Sequence, residues 1–254
     1  MRATTREHAL PSWVIKAMAQ PSGTTTLTLA RGTQVATSWN ERRERRGLKV
    51  KHLCSACNNS WMSDLEQRAK VYIRSMMGDV AIPLDREAQA LISSWIMKTV
   101  MVYECLSPKD EWFYSETERR VFRETHELPH YTAIWLGRCR ESGWSRTVGR
   151  RIRFGPRWPF AIGALNTFCI SHFIFQVLTT RMKPGREHRG TRRYNAVKAP
   201  DPWARRLFQC WPVQQRQVYW PPLLAAAADD SEVQSLSRRW DAEGLKSRVR
   251  GGMA

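Results

Sequence analysis

The stretch Cys54-Ser55-Ala56-Cys57-Asn58-Asn59 runs directly into Ser60-Trp61-Met62-Ser63-Asp64-Leu65-Glu66. Two thiols stand three residues apart, two carboxamides follow, and then a helix begins. This spacing constrains the fold, because a short C-x-x-C turn can aim both sulfurs at one point, where Zn²⁺ takes them as half of a tetrahedral set. A carboxamide just beyond offers oxygen, the donor that a harder cation such as Mg²⁺ prefers. Other readings of the same residues stay open. Cys54 and Cys57 can be buried thiols at a helix start, and Asn58 can be an N-cap for orphan backbone N–H groups. Asn59 is the neighbouring carboxamide. His52 is either a third zinc ligand or a packed strand residue.

A second stretch, Arg6-Glu7-His8-Ala9-Leu10-Pro11-Ser12-Trp13, sets a carboxylate beside an imidazole. Metal-assisted phosphodiester hydrolysis needs a cation to stabilise charge and a base to take a proton from water. Glu7 can hold the cation while His8, on the other side of a strand, serves as the base. Taken alone, the pair is equally a surface feature of a chain terminus.

Composition narrows the partners. Lys and Arg total 41 against 23 Asp and Glu, a formal charge of +18. Such a surface attracts polyanions and gains from counterion release on DNA or RNA. The basic runs Arg42, Arg43, Arg45, Arg46 and Arg186 to Arg193, with Lys49 and Lys51, are candidate phosphate contacts, or solvated faces. With 42% hydrophobic residues over 254 positions, the chain can bury a core. The twelve Trp residues serve as core anchors or as stacking platforms. Beyond Cys54 and Cys57, the scattered Cys105, Cys139, Cys169 and Cys210 read as buried thiols with no disulfide framework. The first thirty residues lack a continuous apolar segment of signal-peptide type. No apolar run reaches membrane-span length, since Ile92 to Val102 contains Ser, Lys and Thr. A reducing cytoplasm is the expected compartment.

Periodicity predicts an α+β protein. A β-hairpin is expected over Thr24 to Thr37, a charged loop or helical turn over Asn40 to Arg46, and a strand over Leu48 to Leu53. Helices are expected from Ser60 to Met76, with Trp61, Leu65, Arg68 and Tyr72 on one face, and from Asp85 to about Glu104. Ser115-Glu116-Thr117-Glu118 is a capping-box pattern opening a helix to about Glu127. Tyr131 to Leu136, Thr147 to Phe154, Thr167 to Thr179 and Gln217 to Trp220 read as strands. A loop is expected over 183 to 202, a last helix from Ser231 to about Trp240, and a frayed tail after it. The division expected is a module over 1–75 and an α+β region of undeclared role over 80–254.

Taken together, E-H-x-x-P-x-W followed by C-x-x-C-N-N-x-W-M-S-x-L-E resembles the HNH endonuclease superfamily. In particular it resembles small HNH-type proteins of actinobacteria and their phages. The Trp95 to Thr99 segment and Trp220-Pro221-Pro222 are similar to later pieces of that group. The resemblance implies a ββα-metal, treble-clef-like module and hydrolysis of DNA phosphodiester bonds. His8 would be the general base. Glu7 and Asn58 would hold a catalytic Mg²⁺ or Mn²⁺. Cys54 and Cys57 would be half of a structural zinc site, whose other C-x-x-C is expected ahead of Glu7, where residues 1–6 contain no Cys. The middle Asn of the motif is replaced around Lys49-Val50-Lys51, with Asn40 a distant substitute, and the separation from His8 to Cys54 implies an insertion. The alternatives are a nucleic-acid-binding protein on a degraded, catalytically inactive HNH scaffold, and a zinc-stabilised interaction module.

Overall fold

The computed structural model describes residues 4–18, 26–31, 34–40, 49–54, 57–140, 145–154, 161–182, 207–222, 228 and 232. The chain begins with β1 (Thr4–His8), α1 (Ser12–Met18), β2 (Thr26–Arg31), β3 (Gln34–Asn40) and β4 (Lys49–Cys54). A π-turn (Asn58–Met62) leads into α2 (Ser63–Met77), β5 (Ile82–Asp85), α3 (Arg86–Glu104) and α4 (Glu116–Thr125). Then come β6 (Thr132–Arg138), β7 (Ser145–Phe154), β8 (Ala161–Ile170), β9 (Phe173–Met182), β10 (Leu207–Trp211) and β11 (Gln217–Trp220). The class is α+β. The basic run 42–46, the segment 183–202 and all but one residue of the expected helix 231–240 lie outside the described residues, as does the tail. Among the described residues, no helix is long and apolar enough to cross a membrane.

The residues between the two motif stretches have a structural use. β2 and β3 form the predicted hairpin, and β2 then pairs in parallel with β7, from Leu27 opposite Ser145 to Arg31 opposite Gly149. The hairpin thereby extends a seven-stranded sheet ordered β10-β6-β9-β8-β7-β2-β3. Two further ladders are two-stranded, β1 with β4 and β11 with β5. The hydrophobic core runs without interruption from Ala9, Leu10 and Val14 through α2 and α3 to the sheet and Trp220. It therefore spans both sides of residues 75 to 80.

Helix α3 is the centre of the molecule. Asp85 caps it as predicted, its carboxylate accepting from Ala88 N–H at 2.7 Å. The apolar stripe expected of α3 is there, but burial extends around most of the helix and takes in Gln89, Ser93, Ser94, Lys98 and Thr99. The buried hydroxyls are satisfied locally. Ser93, Ser94 and Thr99 donate to the carbonyls of Gln89, Ala90 and Trp95 at 2.7, 3.1 and 2.9 Å. On the sheet side, Trp95 meets Phe175 and Tyr103 meets Phe168, both edge-on, with centroids 6.1 and 4.8 Å apart.

Several expectations are corrected. The single strand expected over Thr167 to Thr179 is a hairpin, with β8 starting at Ala161 and turning at Ser171-His172. Ser171 adopts φ 55°, a left-handed conformation that its sequence does not advertise. Tertiary bonds hold the turn. Ser171 Oγ donates to the Met77 carbonyl at 2.9 Å, at the open end of α2, and His172 Nδ1 donates to Cys139 O at 2.8 Å. In α2 the buried line is Leu65, Ala69, Ile73 and Met76, while Arg68 is exposed, because α2 packs along α3. Helix α4 opens with the predicted capping box but ends at Thr125, where His126 turns left-handed at φ 60°.

Cys105, Cys139, Cys169 and Cys210 are all buried, as expected. Burial pushes the Cys210 thiol from an ordinary 9.0 up to about 12, against a lowering contribution from the Ser93 hydroxyl. The native state therefore keeps a proton that the unfolded chain gives up, so Cys210 contributes stability fully present below pH 9 and lost as pH rises toward 12. The buried Lys98 acts in the opposite sense, since its pKa is lowered. A difference against Cys210→Ala isolates the thiol. In urea unfolding between about pH 8 and about pH 10.5, wild type should lose about 2 kcal/mol relative to the variant. Parallel decline of the two proteins would reject the assignment.

Candidate metal and nucleic-acid site

The two motif stretches meet on one ladder. β1 and β4 are antiparallel, with Glu7 opposite Val50, His8 opposite Lys49 and Thr4 opposite Cys54; a register shift falls between Thr5 and Glu7. His8 is half-buried, and Val50 is in the core. The residues after His8 explain their own pattern. Ala9 and Leu10 enter the core, and the Pro11 carbonyl accepts from Val14 and Ile15 N–H to start α1. Trp13 then packs against Trp95 of α3, centroids 6.4 Å apart, with the Lys70 ammonium 5.9 Å from the Trp13 centroid. Leu10 and Trp13 thus anchor the end of the strand that carries Glu7 and His8.

β4 delivers Cys54 to the far end of this ladder from His8, five residues or roughly 16 Å along the strand. Cys57 precedes the π-turn, inside which Ser60 departs from helical geometry at φ −117°, ψ −112°. Asn58 is the first residue of that turn, and the cap position is held by Cys57 with no side-chain cap bond. The Asn58 Nδ2 group donates to Asn59 Oδ1 at 3.4 Å. Trp61 sits edge-on to Phe122 and His126, which ties the turn to α4.

Glu66, the last residue of the motif, makes a contact that sequence spacing does not reveal. Its Oε1 lies 2.5 Å from Lys98 Nζ on α3. Lys98 is 3% exposed and Glu66 24%. Burial pushes the Lys98 pKa down, and the Glu66 carboxylate opposes that shift. The available signal was a lysine on the apolar stripe, three residues after Trp95. Arg123 was also missed: its guanidinium pairs with Glu124 at 2.7 Å, and that carboxylate together with the nearby Cys57 sulfur holds Arg123 more firmly protonated than usual.

The donors present can be set against the metals that the motif implies. A structural zinc takes four protein ligands. Cys54 and Cys57 would supply two. Among the described residues, no group of three or more His, Cys, Asp or Glu could hold a metal ion. For an oxygen-loving cation, Asn58 is one candidate donor. Asn58 is only half-buried and uses its amide nitrogen on Asn59, which leaves its oxygen as a donor. The backbone of Glu7 is on β1, while its carboxylate lies outside the described residues, as do the side chains of Cys54, Lys49 and Lys51. No family model, no curated protein and no solved structure matches this chain.

Proposed function

We propose that the chain is an HNH-type endonuclease that hydrolyses DNA phosphodiester bonds with a divalent cation. The observation that carries this reading is the β1–β4 ladder leading into α2. Segments more than forty residues apart in sequence become one strand–strand–helix unit, with Glu7-His8 on its first strand and Asn58 at the entry to its helix. The +18 charge supports a polyanionic partner. Glu7 and Asn58 would hold Mg²⁺ or Mn²⁺, which would supply charge stabilisation at the scissile phosphate. His8, which is half-buried, would take the proton from the attacking water. Basic side chains would hold the backbone, in a reducing cytoplasm that keeps the buried thiols reduced.

The test is nicking of supercoiled plasmid by the purified chain with Mg²⁺ or Mn²⁺, abolished by EDTA. A second reading is a nucleic-acid-binding protein without catalysis, which the same +18 charge supports and which needs no bound cation. Both readings predict duplex binding that weakens steeply with salt. Four phosphate contacts would cost on the order of a hundredfold in affinity between about 50 and 200 mM salt. Fluorescence anisotropy of a labelled duplex measures this slope, and a flat dependence would remove the polyanion argument from both.

A further inference from the structure

Beside the π-turn lies a pocket of about 280 Å³, lined in part by the motif residues Cys57, Trp61 and Met62. Its lining combines aromatic and aliphatic side chains, among them Trp61, Met62 and Val102, with the cations Lys98, Arg120 and Arg123 and the carboxylate of Glu116, which is paired with Lys109. This volume sits at the small end of ligand pockets, which run from roughly 300 to 1,000 Å³. It suits one flat ring system and is too small for a helix or a peptide.

The cations differ in what they have left to offer. Arg119, also at the pocket, is spent on the fold: it donates to Glu104 at 2.7 Å and to the Met101 carbonyl at 2.8 Å, and covers the Trp112 ring at 4.5 Å. Arg120 is exposed. Arg123 is half-buried and gives one Nη to Glu124 at 2.7 Å, leaving the rest of its guanidinium at the pocket. Lys98 is a buried ammonium with three donors, one of which goes to Glu66. A buried cation with spare donors at a pocket is costly unless an acceptor meets it. The pocket therefore offers an apolar aromatic slot, a donor within it and guanidinium groups beside it.

We infer that this pocket takes a single unstacked nucleotide of a nucleic-acid strand, its base against the Trp61 ring, an acceptor on its edge at Lys98, and its phosphate on Arg120 and Arg123. Base–aromatic stacking and Arg–phosphate contacts are the two elements of single-strand recognition. The inference rests on the nucleic-acid reading above, and it goes beyond that reading by naming a single-strand subsite apart from Glu7 and His8. It is independent of cleavage.

A single-stranded oligodeoxynucleotide carrying one 2-aminopurine tests it, because stacking on an aromatic ring quenches that base. Wild type should quench the fluorescence on binding. Val102→Phe, which fills the slot, should weaken the quenched complex on the order of tenfold or more while leaving duplex affinity at low salt unchanged. Arg120→Glu, at an exposed position that folding does not need, should weaken it about tenfold. If Val102→Phe loses its thermal transition, Arg120→Glu decides alone. Binding without quenching, or quenching that both folded variants retain, overturns the subsite and leaves the nucleic-acid reading standing. No binding of either single strand or duplex at low salt overturns both.

Discussion

Alanine at position 8 should reduce plasmid nicking on the order of 10²- to 10⁴-fold while duplex binding stays within a factor of about two. A general base acts on the proton that moves in the transition state, so its loss lowers the rate and leaves ground-state affinity nearly untouched. Folding should survive the change, because His8 is half-buried and the strand is anchored beyond it by Leu10 and Trp13. Glu7→Ala and Asn58→Ala should instead move the concentration of Mg²⁺ or Mn²⁺ needed for half-maximal rate, since those side chains would hold the cation. Equal cutting by wild type and His8→Ala would place the activity elsewhere. Binding by both with cutting by neither would select the catalytically inactive scaffold.

Glu66→Ala should destabilise the protein by about 3 kcal/mol, the range expected when one member of a buried pair is removed. The cost falls on the partner left behind. Lys98 is 3% exposed, and without Glu66 it is an uncompensated cation in the middle of α3, 5.6 Å from the Trp95 centroid. Lys98→Met should cost less, because the surviving Glu66 is 24% exposed and can recover water. The double variant Glu66→Ala with Lys98→Met should regain most of the loss. Urea midpoints at constant m-value measure the cycle. If Glu66→Ala and Lys98→Met cost the same and add in the double variant, the two groups are not coupled, and Glu66 would belong to the motif for another reason.

This pair also shows why part of the site was legible in sequence and part was not. The C-x-x-C-N-N stretch suggests a chemistry because its candidate donors are neighbours along the chain. So does Glu7-His8. Lys98 is thirty-two residues from Glu66, and nothing local distinguishes it from a solvated lysine except the apolar stripe around it. Arg123 is more remote still from Cys57. Its approach depends on α4 packing over the π-turn through Trp61 and Phe122. The pocket has no sequence signature at all, since its lining comes from the π-turn, α3 and α4.

Local physics was readable. Asp85 as a cap, Ser115 and Glu118 as a capping box, the β2–β3 hairpin and the strand into Cys54 all depend on residues within a few positions of one another. Alternation and helical spacing placed most elements, and the scattered cysteines proved buried. What the tertiary structure decided is which surfaces meet. Parallel pairing of β2 with β7 joins residues more than a hundred positions apart, and only burial of the sheet as a whole rewards it. The turn at Ser171-His172 was hidden because no Gly or Pro marks it; the Met77 and Cys139 carbonyls hold it from outside. The buried line of α2 was set by its packing along α3, which draws Ala69 and Ile73 inward and leaves Arg68 in solvent. Short-range hydrogen bonding and periodicity are properties of a segment, whereas partner choice and burial are properties of the assembled chain.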